Sequence, residues 1–175
     1  AGVHFCATCD GPFYKGQEVV VVGGGNSGFQ EGLFLTRFAK SVTILERSER
    51  PRASQALQDK VAGRRDMRLL NHTTVQEFRG DGRLSSILVG NPATGETEEI
   101  SVGAAFVFIG LRRPNTELLR GIADLDEGGF VVTAPNLETN LSGVFAAGDC
   151  RSGSTKQAAG AVGEGATVAL IVREY

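Results

Sequence analysis

The stretch that most limits what this chain can fold into is "EVVVVGGGNSGFQEGLFLTRF", residues 18–38. Val19 to Val22 form a short, wholly apolar, β-branched run, the mark of a strand covered on both faces. Gly23 to Gly25 turn the chain, Asn26 or Ser27 opens a helix, and Phe29, Leu33, Phe34 and Phe38 supply its apolar stripe. Gly23-x-Gly25-x-x-Gly28 therefore stands where a dinucleotide fingerprint belongs, after a buried strand and at the start of a helix. Gly23 permits the tight turn, Gly25 lets the backbone approach a pyrophosphate, and Gly28 lets the helix pack close to the strand. The helix amino terminus then offers free N–H groups and a positive dipole end to phosphates. A structural glycine turn is the bland reading; the strand, helix and second strand around the triplet favour nucleotide binding.

That second strand, "SVTILE", ends at Glu46, about twenty residues past the glycines, where an acid can take the ribose hydroxyls of NADH. The following "ERSERPR" also offers Arg47, Arg50 and Arg52, which can pair with a 2′-phosphate. Glu49 and Arg50 read better as a solvated charge run.

Ahead of the strand lies "HFCATCDGPF", with Cys6 and Cys9 spaced Cys-x-x-Cys and Asp10 directly after. The pair alone leaves a metal clip, an idle disulfide and an electron carrier open. A structural zinc site needs four ligands, so the pair would have to recruit from His4, His72 or Cys150, and no second Cys-x-x-Cys exists. Three cysteines in 175 residues are no disulfide scaffold, and the spacing beside a strand–helix–strand pattern reads as redox or metal chemistry of a reducing compartment. Cys150 reads as a small buried residue, His4 and His72 as surface or loop residues without a role, and Tyr14 and Lys15 as connector. The net charge of −2 gives no electrostatic case for nucleic acid or an anionic membrane, and no apolar run is long enough to span a bilayer. A cytoplasmic location is expected.

Along the rest of the chain, residues 1–16 read as irregular around the cysteines, and "SQALQDKVA" as a short helix. Met67 to Val102 has strand-and-turn texture, and "AAFVFIG" is a buried strand closing at Gly110, a further candidate cofactor contact. The order implies an α/β fold: a Rossmann-like parallel sheet with helices and a small antiparallel meander. After Pro114 come a helical turn at "NTELLRG", strands at "GGFVVT" and "GVFAAGDC", and a final helix opened by Lys156, Gln157 and Ala158. Gly148-Asp149, at the end of an apolar run, can admit a ligand closely and accept hydrogen bonds from sugar-like hydroxyls. A boundary near residues 114–118 divides the chain into domains 1–117 and 118–175.

The segments "FCATCDGPFYKG", "VVVVGGGNSG", "LQDK", "PNTELL", "ETNLSGVFAAGDC" and "KQAAGAVGEGA" occur in an order that resembles the low-molecular-weight thioredoxin reductase family and its relative, the alkyl hydroperoxide reductase flavoprotein. The resemblance spans nearly the whole chain. It implies an FAD enzyme that passes electrons from NADH or NADPH to the flavin, to the Cys6/Cys9 disulfide, and on to a partner disulfide on thioredoxin, a thioredoxin-like protein or a peroxiredoxin system. It implies that Cys9 is the flavin-proximal sulfur, that Cys6 attacks the partner, and that Asp10 is the general acid or base. Family members carry an FAD-binding half before the cysteine motif and are commonly homodimers. This chain is therefore expected to hold the nicotinamide domain and the returning C-terminal part of an FAD-binding domain. On its own it is either catalytic or a nicotinamide-binding module without turnover.

The sequence departs from the family in two places. Where NADPH-using members carry His-Arg-Arg and a later arginine, this chain has Glu46, Arg47, Ser48 and Arg52, which leans toward NADH. "GLRRPNT" has three residues, Leu111 to Arg113, where two are usual.

Overall fold

The computed structural model describes residues 1–110 and 114–175. The three residues Leu111 to Arg113, read above as one more than the family spacing, lie outside the described residues. The chain divides into two compact units, Ala1–Gly110 and Leu111–Tyr175.

In the first unit the elements run β1 (Val3–His4), α1 (Ala7–Asp10), a 3₁₀ turn (Gly11–Tyr14), β2 (Glu18–Val22), α2 (Asn26–Leu35), β3 (Ser41–Leu45), α3 (Gln55–Ala62), β4 (Met67–Leu70), β5 (Thr74–Arg79), β6 (Ser86–Gly90), β7 (Thr97–Ser101) and β8 (Ala104–Val107). The main sheet is parallel in the order β1-β8-β2-β3-β4, and β5-β6-β7 form a separate antiparallel sheet. The valine run of β2 explains the layering. Side chains alternate across a strand, so Val19 and Val21 join Phe29, Leu35, Val42, Ile44 and Phe106 in one core. Val20 joins Leu45, Leu84, Ile87, Val89 and Ala105 in another. Val19, Val20 and Val21 are all buried, as a central strand requires.

Three readings of this unit need correction. Residues 1–16 are not irregular: β1 lies parallel to the outer side of β8, pairing Val3 with Ala105 and His4 with Phe106. Met67–Leu70 belongs to the parallel sheet, with Met67 opposite Val42 and Leu70 opposite Leu45, so the meander starts only at Thr74. Texture could not separate β4 from its neighbours, because partner choice is a tertiary matter. The α2 stripe also shifts: Leu35 is fully buried beside Phe29, whereas Leu33, Phe34 and Phe38 are half-buried.

In the second unit a 3₁₀ turn at Glu117–Leu119 and another at Gly148–Cys150 precede α4 (Ala158–Glu174). The strands expected at "GGFVVT" and "GVFAAGDC" appear only as single bridges, Leu125 to Val131, Val131 to Arg151, and Glu138 to Phe145. A strand needs a neighbour running alongside it for several residues; here tight turns bring each partner past at one position. Val131 is nonetheless buried, while Val162, Leu170 and Val172 of α4 are exposed. Among the described residues no helix is long and apolar enough to cross a membrane.

Candidate active site

The glycine loop of the first unit joins β2 to α2. Gly23 has φ +125°, a conformation that side chains resist, and a Cβ there would run into the Phe108 carbonyl. A Cβ on Gly28 would strike the Gly23 carbonyl, so this glycine sets how closely α2 enters the turn. Gly25 differs: nothing lies within 4 Å of its Cβ position, so the space above it is open. Gly25 is the N-cap of α2, and no side chain caps the helix. Among the described residues the N–H groups of Asn26, Ser27 and Gly28 find no acceptor. Asn26 itself is turned sideways, its Oδ1 accepting the Ser54 N–H at 2.8 Å.

Glu46 is buried at the end of β3, 4 % exposed. Its Oε2 accepts the Gly24 N–H at 2.9 Å and its Oε1 the Ser48 N–H at 2.8 Å. Burial pushes this carboxyl up, but the N–H and hydroxyl of Ser48, the Gly24 N–H and the Arg52 charge outweigh it and hold the group below the usual glutamate range. Glu46 thus braces the glycine loop from beneath. Gly24, which sequence reasoning passed over, is what admits it, because a Cβ there would collide with the carboxylate. The chain from 51 to 53 closes over the same residue, with Arg52 and Ala53 N–H groups donating to the Gly24 carbonyl at 2.9 and 3.1 Å. Arg47 and Arg52 have exposed side chains at this rim, as do Glu49 and Arg50. Gly110 is exposed with φ +88°.

Cys6 and Cys9 are joined in a disulfide, with an S–S distance of 2.06 Å and Cα atoms 5.3 Å apart. Cys6 is the N-cap of α1, and its Sγ accepts the Cys9 N–H at 3.1 Å. Cys9 is exposed and Cys6 half-buried. Two residues assigned no role prove to be built into this corner. His4 is not a surface residue: its Nε2 lies 2.6 Å from the Tyr14 hydroxyl and its Nδ1 3.3 Å from Asp10 Oδ2. Tyr14 is not mere connector but buried. The zinc alternative would draw on His4, which these partners engage instead, and among the described residues no three His, Cys, Asp or Glu side chains are grouped to hold a metal.

In the second unit Gly148 is buried with φ +80°, and Asp149 beside it is exposed. The Gly148 N–H donates to Glu164 Oε2 at 2.7 Å, and the Arg151 guanidinium forks onto both Glu164 oxygens. Arg151, with the Gly148 N–H, draws the Glu164 carboxyl down to about 2. Neither residue was foreseen, since thirteen positions separate them. The Lys156 ammonium is engaged inward, donating to the Arg151 carbonyl at 2.7 Å and lying 4.0 Å from the Phe130 ring centre. Gln157 occupies the N-cap position of α4 without a side-chain cap hydrogen bond, and Ala158 begins the helix; both are exposed. Cys150 is half-buried rather than buried, its Sγ donating to the Ala147 carbonyl.

A glycine loop open above Gly25 and a disulfide of Cys-x-x-Cys spacing both lie in the first unit. The family model described as pyridine nucleotide-disulphide oxidoreductase matches residues 1–165. The chain belongs to this family. It is 42 % identical over 175 residues to the thioredoxin reductase of Streptomyces clavuligerus, covering 99 % of this chain and 54 % of the relative. It is 38 % identical over 175 residues to that of Bacillus subtilis, covering 99 % and 55 %. Among solved structures, thioredoxin reductase from Streptococcus pyogenes superposes with a TM-score of 0.87 at 34 % identity, over 99 % of this chain and 57 % of that one. The chain spans about half the length of the curated relatives it matches.

Proposed function

We propose that this chain supplies the disulfide and the nicotinamide site of a thioredoxin-reductase-like flavoprotein. The observation that carries this reading is the Cys6–Cys9 disulfide, placed directly ahead of a dinucleotide loop whose helix N–H groups are unspent. The residues fit the cofactors. The pyrophosphate of NADH or NADPH would lie over Gly25 against Asn26, Ser27 and Gly28, where a Cβ position is open. Glu46 favours NADH, while Arg47 and Arg52 at the rim offset it for a 2′-phosphate. FAD would be held in part by Gly148, Asp149 and the first turn of α4, where the Asp149 carboxylate is accessible and no side chain caps the helix.

When bound, the flavin and nicotinamide supply the two electrons that open the disulfide. The chain's own residues then run the exchange. In the disulfide the Cys9 N–H donates to Cys6 Sγ, and an N–H aimed at that sulfur suits Cys6, once reduced, to attack the partner disulfide. Cys9 is then the sulfur that faces the flavin, and Asp10 handles the protons. The partner is thioredoxin or a thioredoxin-like protein. In the flavin-loaded protein, Cys6→Ser and Cys9→Ser should each abolish reduction of thioredoxin while leaving bleaching of the flavin by nicotinamide intact. Loss of bleaching in both variants would overturn this electron order.

A further inference from the structure

We propose that His4 is the positioning residue and proton store for Asp10 in disulfide exchange, held in its working orientation by Tyr14; the inference rests on the reductase reading above. A tyrosine as buried as Tyr14 requires a partner for its hydroxyl, and that partner is His4 Nε2 at 2.6 Å. The Tyr14 hydroxyl can donate to Nε2 of the neutral ring or accept from Nε2–H of the protonated one, and in both states the Nδ1 edge faces Asp10 Oδ2 at 3.3 Å. The ring cannot swing away readily. It packs against Phe106 of β8 with ring centres 5.3 Å apart and edge-on to Tyr14 at 5.1 Å. The Asp10 side chain is 31 % exposed, so without this partner its carboxylate would be oriented mainly by water.

The chemistry explains why a carboxylate needs such a partner. Each exchange takes a proton from an attacking thiol and gives one to a departing sulfur. Carboxylic acids of ordinary acidity hold few protons near neutral pH, whereas imidazoles titrate there. In the reaction, the Cys6 thiolate attacks one partner sulfur, the partner S–S bond breaks, and the departing sulfur takes the proton of Asp10. Cys9 then gives its proton to the emptied Asp10 carboxylate and attacks the mixed disulfide. The Cys6–Cys9 bond forms, the second partner sulfur leaves and takes that proton from Asp10, and two electrons and two protons have moved to the partner; His4 then restores the proton of Asp10 and is itself reprotonated from water. Among the described residues, the titratable groups against the imidazole are Asp10 from α1 and Tyr14 from the 3₁₀ turn, and β8 sets Phe106 against it.

The test uses the chain itself and needs no flavin. Dithiothreitol reduces the Cys6–Cys9 disulfide, iodoacetamide stops the reaction, and mass spectrometry counts alkylated thiols. Rates are divided by the thiolate fraction of dithiothreitol from about pH 5 to about pH 9. In the wild type the corrected rate should fall in a step as pH rises, because His4 holds the proton that Asp10 passes on. His4→Phe keeps the aromatic packing and removes both nitrogens; it should be at least about tenfold slower at the acid end and lack the step, a smaller loss than that of a direct acid–base group because His4 acts through Asp10. His4→Asn returns an amide N–H near the Nδ1 position and should recover part of the rate without the step. Tyr14→Phe should lower the rate in the same direction. A His4→Phe profile that matches the wild type in rate and step overturns the inference. Should that variant fail to fold, an unchanged Tyr14→Phe profile overturns it equally. A wild-type disulfide that dithiothreitol cannot open would refute the reductase reading instead.

Discussion

Glu46 offers a prediction whose size follows from its contacts. The carboxylate is buried and accepts one N–H from Gly24 and one from Ser48. Glu46→Ala removes both acceptors. Gly24 is buried, so its N–H would be left without a partner, at about 1–3 kcal/mol. Ser48 is exposed, so water replaces its bond and the loss there is nearer about 0.5–1.5 kcal/mol. The total expected for alanine is about 2–4 kcal/mol. Glu46→Gln keeps an oxygen for Gly24 and turns an amide NH₂ toward the Ser48 N–H, so only the exposed bond and the charge are lost, about 1–2 kcal/mol. Urea unfolding near neutral pH measures both, and hydrogen exchange at the Gly24 amide locates the effect. The folded-state pKa of Glu46 is depressed, so its contribution is complete above the usual glutamate value of 4.5 and disappears as pH falls through the folded value. The alanine variant should therefore approach the wild type in acid. With the charge gone, the ratio of kcat/KM for NADPH to that for NADH should rise in the flavin-loaded protein. An alanine variant within about 0.5 kcal/mol of wild type, with unchanged Gly24 exchange, would refute the brace.

Two other perturbations separate architecture from binding. Gly25→Ala meets nothing within 4 Å and should unfold within about 0.5 kcal/mol of wild type, yet weaken NADH binding about tenfold or more; Gly28→Ala, blocked by the Gly23 carbonyl, should lose about 1–3 kcal/mol of stability as well. Urea unfolding paired with a nicotinamide fluorescence titration distinguishes them, and wild-type affinity in Gly25→Ala would count against the pyrophosphate placement. In the second unit, Glu164 is drawn down to about 2 by Arg151, so its stabilisation is complete above the ordinary glutamate value and fades as pH falls toward about 2. The stability gap between wild type and Glu164→Gln, read by thermal melting, should narrow over that range; a constant gap would mean that the ion pair does not govern it.

The glycine loop was legible because its requirements are local. A β-branched run, a glycine with left-handed backbone and a helix start within a few residues leave little freedom, and Gly23, Gly25, Gly28 and Glu46 fall where spacing puts them. The Cys-x-x-Cys pair was legible for the same reason, since one helical turn brings the two sulfurs together. The strands of the second unit were not: an apolar run becomes a strand only through a partner, and Val131 and Phe145 find theirs at single positions.

The sequence by itself determined the α/β class, the fingerprint turn and the redox spacing, because each depends on backbone geometry within a few residues. Tertiary structure decided what those pieces touch. It joined β4 to the parallel sheet, set Glu46 beneath Gly24 across twenty-two positions, and placed His4 between Asp10 and Tyr14 by laying β1 along β8. Contacts between distant segments depend on how whole strands choose their neighbours, and that choice is made by the burial of the entire core, beyond the reach of any local pattern.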